Sequence, residues 1–211
     1  MDLNAICLGN HYSEDKMVKK IIFLVAGAFS LGTATFAADS SRLRLMIPVS
    51  ATNNAEVAST FTEESYDPSG YNLNYVTGSG WGIGYTSTTI DLTLKIVGSS
   101  TTITSTSTQS FLDLSYTIGS EWTAQFVLGY QIGQTDGEIE YSTGATDTAK
   151  IDSYHGSAWA INGGYDFGGA ELLVGYRSEF TAADVTYQTS GTESDEWIKS
   201  NLVTAGFGLT F

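Results

Sequence analysis

The chain closes with Asn201-Leu-Val-Thr-Ala-Gly-Phe-Gly-Leu-Thr-Phe211, and this stretch predicts the fold. Side chains alternate between the two faces of a strand, so the large apolar residues share one face. That face carries Val203, Ala205, Phe207, Leu209 and Phe211. An exposed apolar strand in water invites aggregation, whereas a strand that closes a barrel in lipid has paired edges and a hydrocarbon-covered face. The stretch therefore predicts a membrane strand.

Composition favours an all-β protein of one domain. The 211 residues include 23 glycines and only two prolines, with abundant Thr, Ser, Tyr and Val. The net charge of −14 argues against binding to nucleic acid, whose phosphates attract the opposite sign. Eight segments alternate apolar with polar residues, and we predict an eight-stranded antiparallel up-and-down transmembrane β-barrel. The predicted strands cover about residues 42–49, 80–85, 90–97, 111–118, 122–132, 158–167, 171–180 and 201–211.

Turns and loops complete this prediction. Asp67-Pro68-Ser69-Gly70 indicates a turn within a polar segment over residues 51–78, in which Tyr71–Val76 is a candidate strand extension above the membrane. A second turn is expected near Ser87–Thr89. Long polar loops are expected over residues 98–108 and 135–154. Longer segments follow the first, third, fifth and seventh strands, as in membrane barrels with short periplasmic turns and long outer loops.

The N-terminal region predicts secretion. Met17-Val-Lys-Lys is followed by an apolar run over residues 21–32 and by small residues up to Ala37. This pattern indicates a signal peptide over residues 17–37, and a short membrane anchor is the alternative. Residues 1–16 are then an upstream extension or a mis-assigned start, and residues 38–211 form the barrel domain. The single cysteine, Cys7, precedes the signal, so the mature chain is expected to contain none.

Charged residues within the strands all lie opposite the large apolar side chains. We therefore expect them to form a salt-bridged network inside the barrel. A soluble β-sandwich or lipocalin, with these charges on its surface, is the alternative. Trp and Tyr residues near the strand ends favour the membrane, because membrane barrels carry aromatic girdles at both interfaces. The expected lumen residues are Arg42, Arg44, Asp91, Lys95, Asp113, Asp166, Glu171, Arg177 and Glu179.

With its signal peptide, alternating strands and terminal Phe211, the chain resembles the small eight-stranded outer-membrane barrels of the OmpA/OmpX type. The resemblance implies a place in the outer membrane of a Gram-negative envelope and contact with lipid and lipopolysaccharide. It also implies that the barrel-assembly machinery recognises Phe207, Leu209 and Phe211 as a sorting signal. These features are general to the class and indicate no subfamily.

The sequence leaves three hypotheses for function. A structural or surface-interaction role through acidic extracellular loops is the first, and a narrow porin-like channel for small solutes is the alternative. The third is a lipid-modifying enzyme, because His155-Gly156-Ser157 resembles the His-x-Ser pair of lipid A deacylases. Ala158 stands where those enzymes usually have Asn, and Glu171 is expected at the opposite membrane side. We therefore predict no catalytic residue, and no cofactor or metal.

Overall fold

The computed structural model describes residues 40–53 and 61–211, and the predicted signal peptide lies outside them. The described chain is almost entirely antiparallel strand. In these two ranges no helix has the length and apolarity needed to cross a membrane. The strands are β1 (Arg42–Asn53), β2 (Phe61–Val76), β3 (Trp81–Ile96), β4 (Thr102–Ile118), β5 (Trp122–Gln134), β6 (Gly137–Tyr141), β7 (Thr146–Asp166), β8 (Ala170–Tyr187) and β9 (Glu193–Thr210).

These strands form a closed ring of eight. Each strand pairs with the next along the chain, except that β5 and β6 both pair with β4 on one side and β7 on the other, and β9 pairs with β1 to close the ring. The short β6 continues β5, because both lie between β4 and β7. The predicted eight-stranded up-and-down barrel is therefore confirmed. We call the end that carries Ser41, Phe211 and the three turns at 77–80, 119–121 and 167–169 the terminal end, and the opposite one the loop end.

The polar segment predicted over residues 51–78 is wrong from residue 61 to residue 70, whereas Tyr71–Val76 is strand, as the candidate extension implied. Strand β2 runs straight through the expected turn at Asp67–Gly70 and pairs with β3 along its length. Pairing between β2 and β1 extends only from Val76 to Asn72. Pro68 therefore lies in a part of β2 without a described partner on the β1 side, and such strand edges tolerate proline.

The predicted turn near Ser87–Thr89 is also wrong, because β3 is continuous through it. The segments predicted as the second and third strands are the two halves of β3, and β2 restores the count to eight. In the half nearer the terminal end Ile83 points outward and is 58% exposed. In the other half Ile90 points inward and is 3% exposed. The apolar side chains change face within one strand. In the sequence this change gives the same pattern as two strands joined by a turn.

Large apolar side chains cover the outside of the barrel nearer the terminal end. Leu114, Phe126 and Val174 are 48%, 52% and 63% exposed, whereas Asp113 and Arg177 are 1% and 3% exposed. The predicted orientation, with apolar residues outside and charges inside, is therefore confirmed for these residues. This outer surface, which we call the membrane belt, includes Leu43, Ile47, Leu73, Ile83, Leu112, Leu114, Phe126, Ile161, Leu172, Val174, Val203, Phe207 and Leu209.

Aromatic pairs border the membrane belt at both edges. Near the terminal end Trp81 packs on Tyr116 with ring centroids 4.9 Å apart. Toward the loop end Tyr71 and Tyr85 lie 6.1 Å apart. The aromatic pairs Trp122–Tyr165 and Trp159–Tyr176 repeat this arrangement. Such rings suit the two interfaces of a bilayer, because one end of each side chain is apolar and the other is polar.

Beyond the second ring the strands continue as a part that we call the extension, formed by residues 61–70, 89–108, 134–154 and 181–199. Most of the polar segments predicted as long loops belong to these strands, and the described tips at 97–101, 142–145 and 188–192 are short. Here the inside is apolar, and a buried cluster holds Ile139, Ala149, Ala183 and Val185 together. The inside of the barrel is thus polar and charged within the membrane belt, whereas an apolar cluster lies inside the extension.

Candidate functional site

The interior of the membrane belt begins at the terminal end with Arg42. This side chain is 1% exposed and donates from Nη2 to the carbonyl oxygen of Ser120 at 2.8 Å. Asp166 lies 3.8 Å from the same nitrogen. Arg42 therefore ties the turn at 119–121 to the end of β7 and covers the interior at this end.

Arg44 and Glu171 form the next layer. The guanidinium donates from Nε and Nη2 to the two carboxylate oxygens, at 2.8 and 2.7 Å. Hydroxyl groups of Thr117 and Thr123 each accept a further bond from Arg44 at 3.1 Å. A two-pronged pair of this kind fixes both side chains, because two parallel hydrogen bonds leave little freedom of rotation.

A neutral layer of amides and a hydroxyl lies above this pair. Gln125 Nε2 donates to Asn74 Oδ1 at 2.9 Å, and Gln125 Oε1 accepts from Asn162 Nδ2 at 2.9 Å. Ser115 donates to Asn74 at 3.1 Å. Sequence reasoning missed these residues because it searched for charge. Their signal was present, since each occupies an inward position of its strand.

Arg177 forms the central ion cluster with two carboxylates. Its Nη1 and Nη2 donate to Asp113 at 3.0 and 3.2 Å, and its Nε donates to Glu179. Thr88 also donates to Glu179, and Thr86 donates to Asp113. Each of the three buried charges therefore has at least two hydrogen bonds, which offset part of the cost of removing it from water, while Glu179 Oε2 has no partner among the described residues.

Seven of the nine predicted lumen residues belong to these layers. The other two, Asp91 and Lys95, do not, and this part of the predicted network needs correction. Asp91 accepts a hydrogen bond from Thr106 beside it on β4, and Lys95 pairs with Glu64 at 3.2 Å with both side chains more than 40% exposed. Both lie in the extension, where outward positions are polar because they face water.

Inward glycines make room for the ion network. A Cβ atom on Gly129 would lie 2.5 Å from Asp113 Oδ1, and one on Gly164 would lie 2.5 Å from Glu171 Oε1. Both distances are shorter than real carbon contacts, so a larger residue would displace the carboxylates. These two glycines therefore relieve crowding around the carboxylates.

The His-x-Ser sequence does not form a triad with Glu171. His155 and Ser157 lie on the outward face of β7, whereas Glu171 is 1% exposed and bonded to Arg44 near the terminal end. Asp184, nearer in the structure, accepts its hydrogen bond from Ser153. Among the described residues no group of three or more His, Cys, Asp or Glu side chains is arranged to hold a metal ion.

The C-terminal strand closes the ring. In its register with β1, Phe207 is opposite Leu45 and Leu209 is opposite Leu43. The amide of Phe211 donates to Ser41 at 3.0 Å, and that of Ser41 donates back at 3.0 Å. Phe207, Leu209 and Phe211 are all more than half exposed, so the predicted assembly signal lies on the outer surface.

No family model matches the chain, and no curated protein matches it either. Several solved structures match the chain. Neisserial surface protein A aligns over 84% of this chain and 100% of its own, with a TM-score of 0.51 and 12% identity. The chain has the fold of a small outer-membrane β-barrel. A closed barrel with an exposed apolar belt is stable in lipid, and in bacteria such barrels lie in the outer membrane.

Two further solved barrels match with lower scores. The outer membrane protein OprG from Pseudomonas aeruginosa aligns over 83% of this chain and 97% of its own, with 12% identity and a TM-score of 0.45. The attachment invasion locus protein Ail of Yersinia pestis aligns over 84% and 100%, with 13% identity and a TM-score of 0.43. At these identities the similarity concerns the fold alone.

Proposed function

We propose that this outer-membrane barrel has a structural or surface-interaction role, with a closed interior and an extension that presents an acidic surface outside the cell. The observation that carries the proposal is the filling of the interior. Arg42, Arg44 and Arg177 lie at successive levels and are at most 3% exposed, and each is bonded to groups on another strand or turn of the barrel. Such a stack leaves little space for a continuous file of water.

The extension supplies the surface. Its outward positions on β3 and β4 carry hydroxyl groups, as in the pairs Thr89–Thr108 and Thr93–Thr104, which bond across the strands at 2.8 and 3.2 Å. Acidic residues such as Glu138 and Glu140 on β6 are exposed on the same part of the molecule. Hydroxyl groups can exchange hydrogen bonds with the sugars of lipopolysaccharide, and the carboxylates favour cationic or polar partners.

The same proposal covers biogenesis and the absence of catalysis. We propose that residues 17–37 direct secretion and that the barrel-assembly machinery recognises Phe207, Leu209 and Phe211. The outward position of these three side chains on the closing strand supports such recognition. The separation of Glu171 from His155 and Ser157 favours a role without catalysis.

Planar-bilayer conductance tests the closed interior against the channel hypothesis. Refolded protein, shown to be folded by its heat-modifiable migration on a gel, is expected to give no stable unitary current steps. The Arg177→Met variant, if folded, is the matched control, because removing the largest central group should produce steps or current noise absent from the wild type. Stable steps from the wild-type protein would overturn the proposal in favour of a channel.

A further inference from the structure

The outer face of β8 and β9 carries an aromatic pair on the loop side of the second aromatic ring. Phe180 and Trp197 stack there, with ring centroids 6.5 Å apart and ring planes inclined by 25°. Trp197 is 37% exposed, although it lies in the extension, where outward positions on β3 and β4 carry hydroxyl pairs such as Thr89–Thr108. An apolar ring in contact with water favours a partner that covers it.

A lysine without an acidic partner lies beside this pair. Lys199 is in register with Phe180 and is exposed on the same outer face. The described residues include two other lysines, Lys95 and Lys150, and each pairs with a carboxylate at 3.2 Å. Lys199 forms no such pair with a described residue. In a chain with a net charge of −14, its ammonium group is therefore available to an anion from outside the protein.

Lys199 lies close to the layer of lipid headgroups. Tyr176, which belongs to the second aromatic ring, is in register with Val203, and Lys199 is four residues nearer the loop end. Four residues span about 13 Å of strand, or about 10 Å along the membrane normal at a tilt of about 40°. The headgroup layer extends about 5–7 Å beyond the hydrocarbon. A lysine side chain is long enough to bend toward the bilayer, so the ammonium group reaches this layer.

The charges around Lys199 are unevenly distributed. On the loop side, Asp184 and Asp195 are in register with each other and are exposed on the same face. On the membrane side, the next row holds Ser178 and Asn201, which are neutral. A negatively charged group is therefore repelled by carboxylates on the loop side and meets no such repulsion on the membrane side. An anion that reaches Lys199 from the bilayer is favoured over one from the medium.

We propose that Phe180, Trp197 and Lys199 bind the headgroup of lipid A in the outer leaflet. This headgroup consists of sugar rings that carry phosphate groups. Lys199 pairs with a phosphate, and C–H groups of the sugar pack against the exposed face of Trp197, because aromatic faces carry partial negative charge. The acyl chains continue along the membrane belt. Charge complementarity, and the continuity of the site with the membrane belt, support this ligand.

Fluorine NMR of the refolded protein, labelled with fluorotryptophan and held in phosphatidylcholine nanodiscs, tests the site. The probe is bisphosphorylated lipid A at increasing mole fraction. The Trp197 signal, assigned with Trp197→Phe, is expected to shift and to reach saturation. Trp122, which is 73% exposed at the terminal end, is the internal reference for general effects of the lipid. A Trp197 shift that does not saturate, or that follows the same curve at Trp122, would overturn the proposal.

Lys199→Gln and Lys150→Gln form a matched pair, since each removes one positive charge from an exposed lysine. A lysine near the membrane surface strengthens the binding of an anionic lipid about fivefold. Lys199→Gln is therefore expected to need about five times as much lipid A for half-saturation, whereas Lys150→Gln should behave as the wild type. Lys199→Arg keeps the charge and should bind normally. Equal effects of the two glutamine variants, with both proteins folded, would refute the role of Lys199.

Two further probes separate the parts of the headgroup. Dephosphorylated lipid A lacks the anion, and phosphatidylglycerol has a phosphate but no sugar, so neither is expected to give a saturable shift of Trp197. A saturable shift with phosphatidylglycerol would mean that Lys199 binds any anionic lipid, and would overturn the assignment to lipid A. An unchanged response to dephosphorylated lipid A would overturn the pairing of Lys199 with a phosphate.

The lipid site rests on the proposed position of the extension outside the cell, but its test is independent of the conductance measurement. Saturable binding of lipid A by a protein that conducts would overturn only the closed interior. Absence of binding by a protein that does not conduct would overturn only the lipid site.

Discussion

The two halves of β8 show the contrast between the membrane belt and the extension. Near the terminal end its outward residues are Leu172, Val174 and Tyr176, and its inward residues include Glu171, Arg177 and Glu179. Near the loop end the outward residues are Asp184 and Thr186, and the inward ones are Ala183 and Val185.

The backbone is the same in both halves, and only the solvent differs. Lipid covers apolar groups, so polar groups must pair inside, whereas water solvates polar groups and drives apolar ones inward. The position along the strands at which the apolar side chains pass from the outer to the inner face therefore marks the bilayer surface. This comparison predicts that equivalent substitutions have unequal effects in the two halves.

The largest difference is expected for ion pairs. Arg177→Met leaves Asp113 and Glu179 buried without their counter-charge, and breaking a buried pair in this way costs about 3–5 kcal/mol. Urea-induced unfolding in lipid vesicles measures the change in the free energy of unfolding. Its matched control is Lys95→Met, which breaks the Lys95–Glu64 pair of the extension.

Both side chains of that control pair are more than 40% exposed, so its loss should cost about 0–1 kcal/mol. Similar losses in both variants would contradict the contrast between the two halves. In that case the interior ions would be as well hydrated as those on the surface.

A second difference concerns outward positions of β4. Leu114, opposite Ile83 and between the two aromatic rings, faces lipid, and Leu114→Arg should cost about 2–4 kcal/mol near the bilayer midplane. Thr104 lies on the same face of the same strand but in the extension. Thr104→Arg should change the free energy of unfolding by less than about 0.5 kcal/mol, as is usual for surface substitutions.

The same unfolding assay measures both arginine variants. A loss for Thr104→Arg as large as that for Leu114→Arg would place the bilayer surface beyond the extension. Several such pairs along one strand would locate the boundary to within a residue or two.

The sequence predicts the ring, its orientation and most of its interior charges because alternation is a local property. Arg44, Asp113 and Arg177 could be assigned to the interior from their neighbours alone. Asp91 could not, because the inversion within β3 places it on the face that carries Ile83 in the other half. A prediction that assumes one apolar face along each strand therefore places a turn where the apolar residues change face.

Other features arise from pairing between distant parts of the chain. Residues 131–136 and 150–156 have no paired register with each other, and this break depends on where β7 leaves β5 and meets β6, which no local pattern records. Gln109 and Gln131 each carry a buried polar atom without a hydrogen-bond partner among the described residues, although in the sequence both look like ordinary polar positions. These features require the structure.

The smallest effect is expected at the tip of the extension, where one carboxylate on β7 binds the turn between β8 and β9. Asp147 Oδ1 accepts from the amides of Thr148 and Thr189 at 2.8 and 3.0 Å. Partial burial alone would raise the pKa of Asp147, but hydrogen bonds from Thr189 and Thr148 outweigh it and hold the pKa below the usual range. Because the folded pKa is depressed, this contact stabilises the tip above the ordinary aspartate pKa and is lost as pH falls through the depressed value.

Amide hydrogen exchange at Thr189 as a function of pH, corrected for intrinsic exchange, measures this contact. Protection at neutral pH should fall in Asp147→Asn and persist in Glu138→Gln, an exposed acid of the same region. Global unfolding should not change in either variant, because the buried ion network within the membrane belt is untouched. A global loss of stability in Asp147→Asn would mean that the extension and the membrane belt unfold as one unit. The two halves of the barrel would then not differ in their free energy of unfolding.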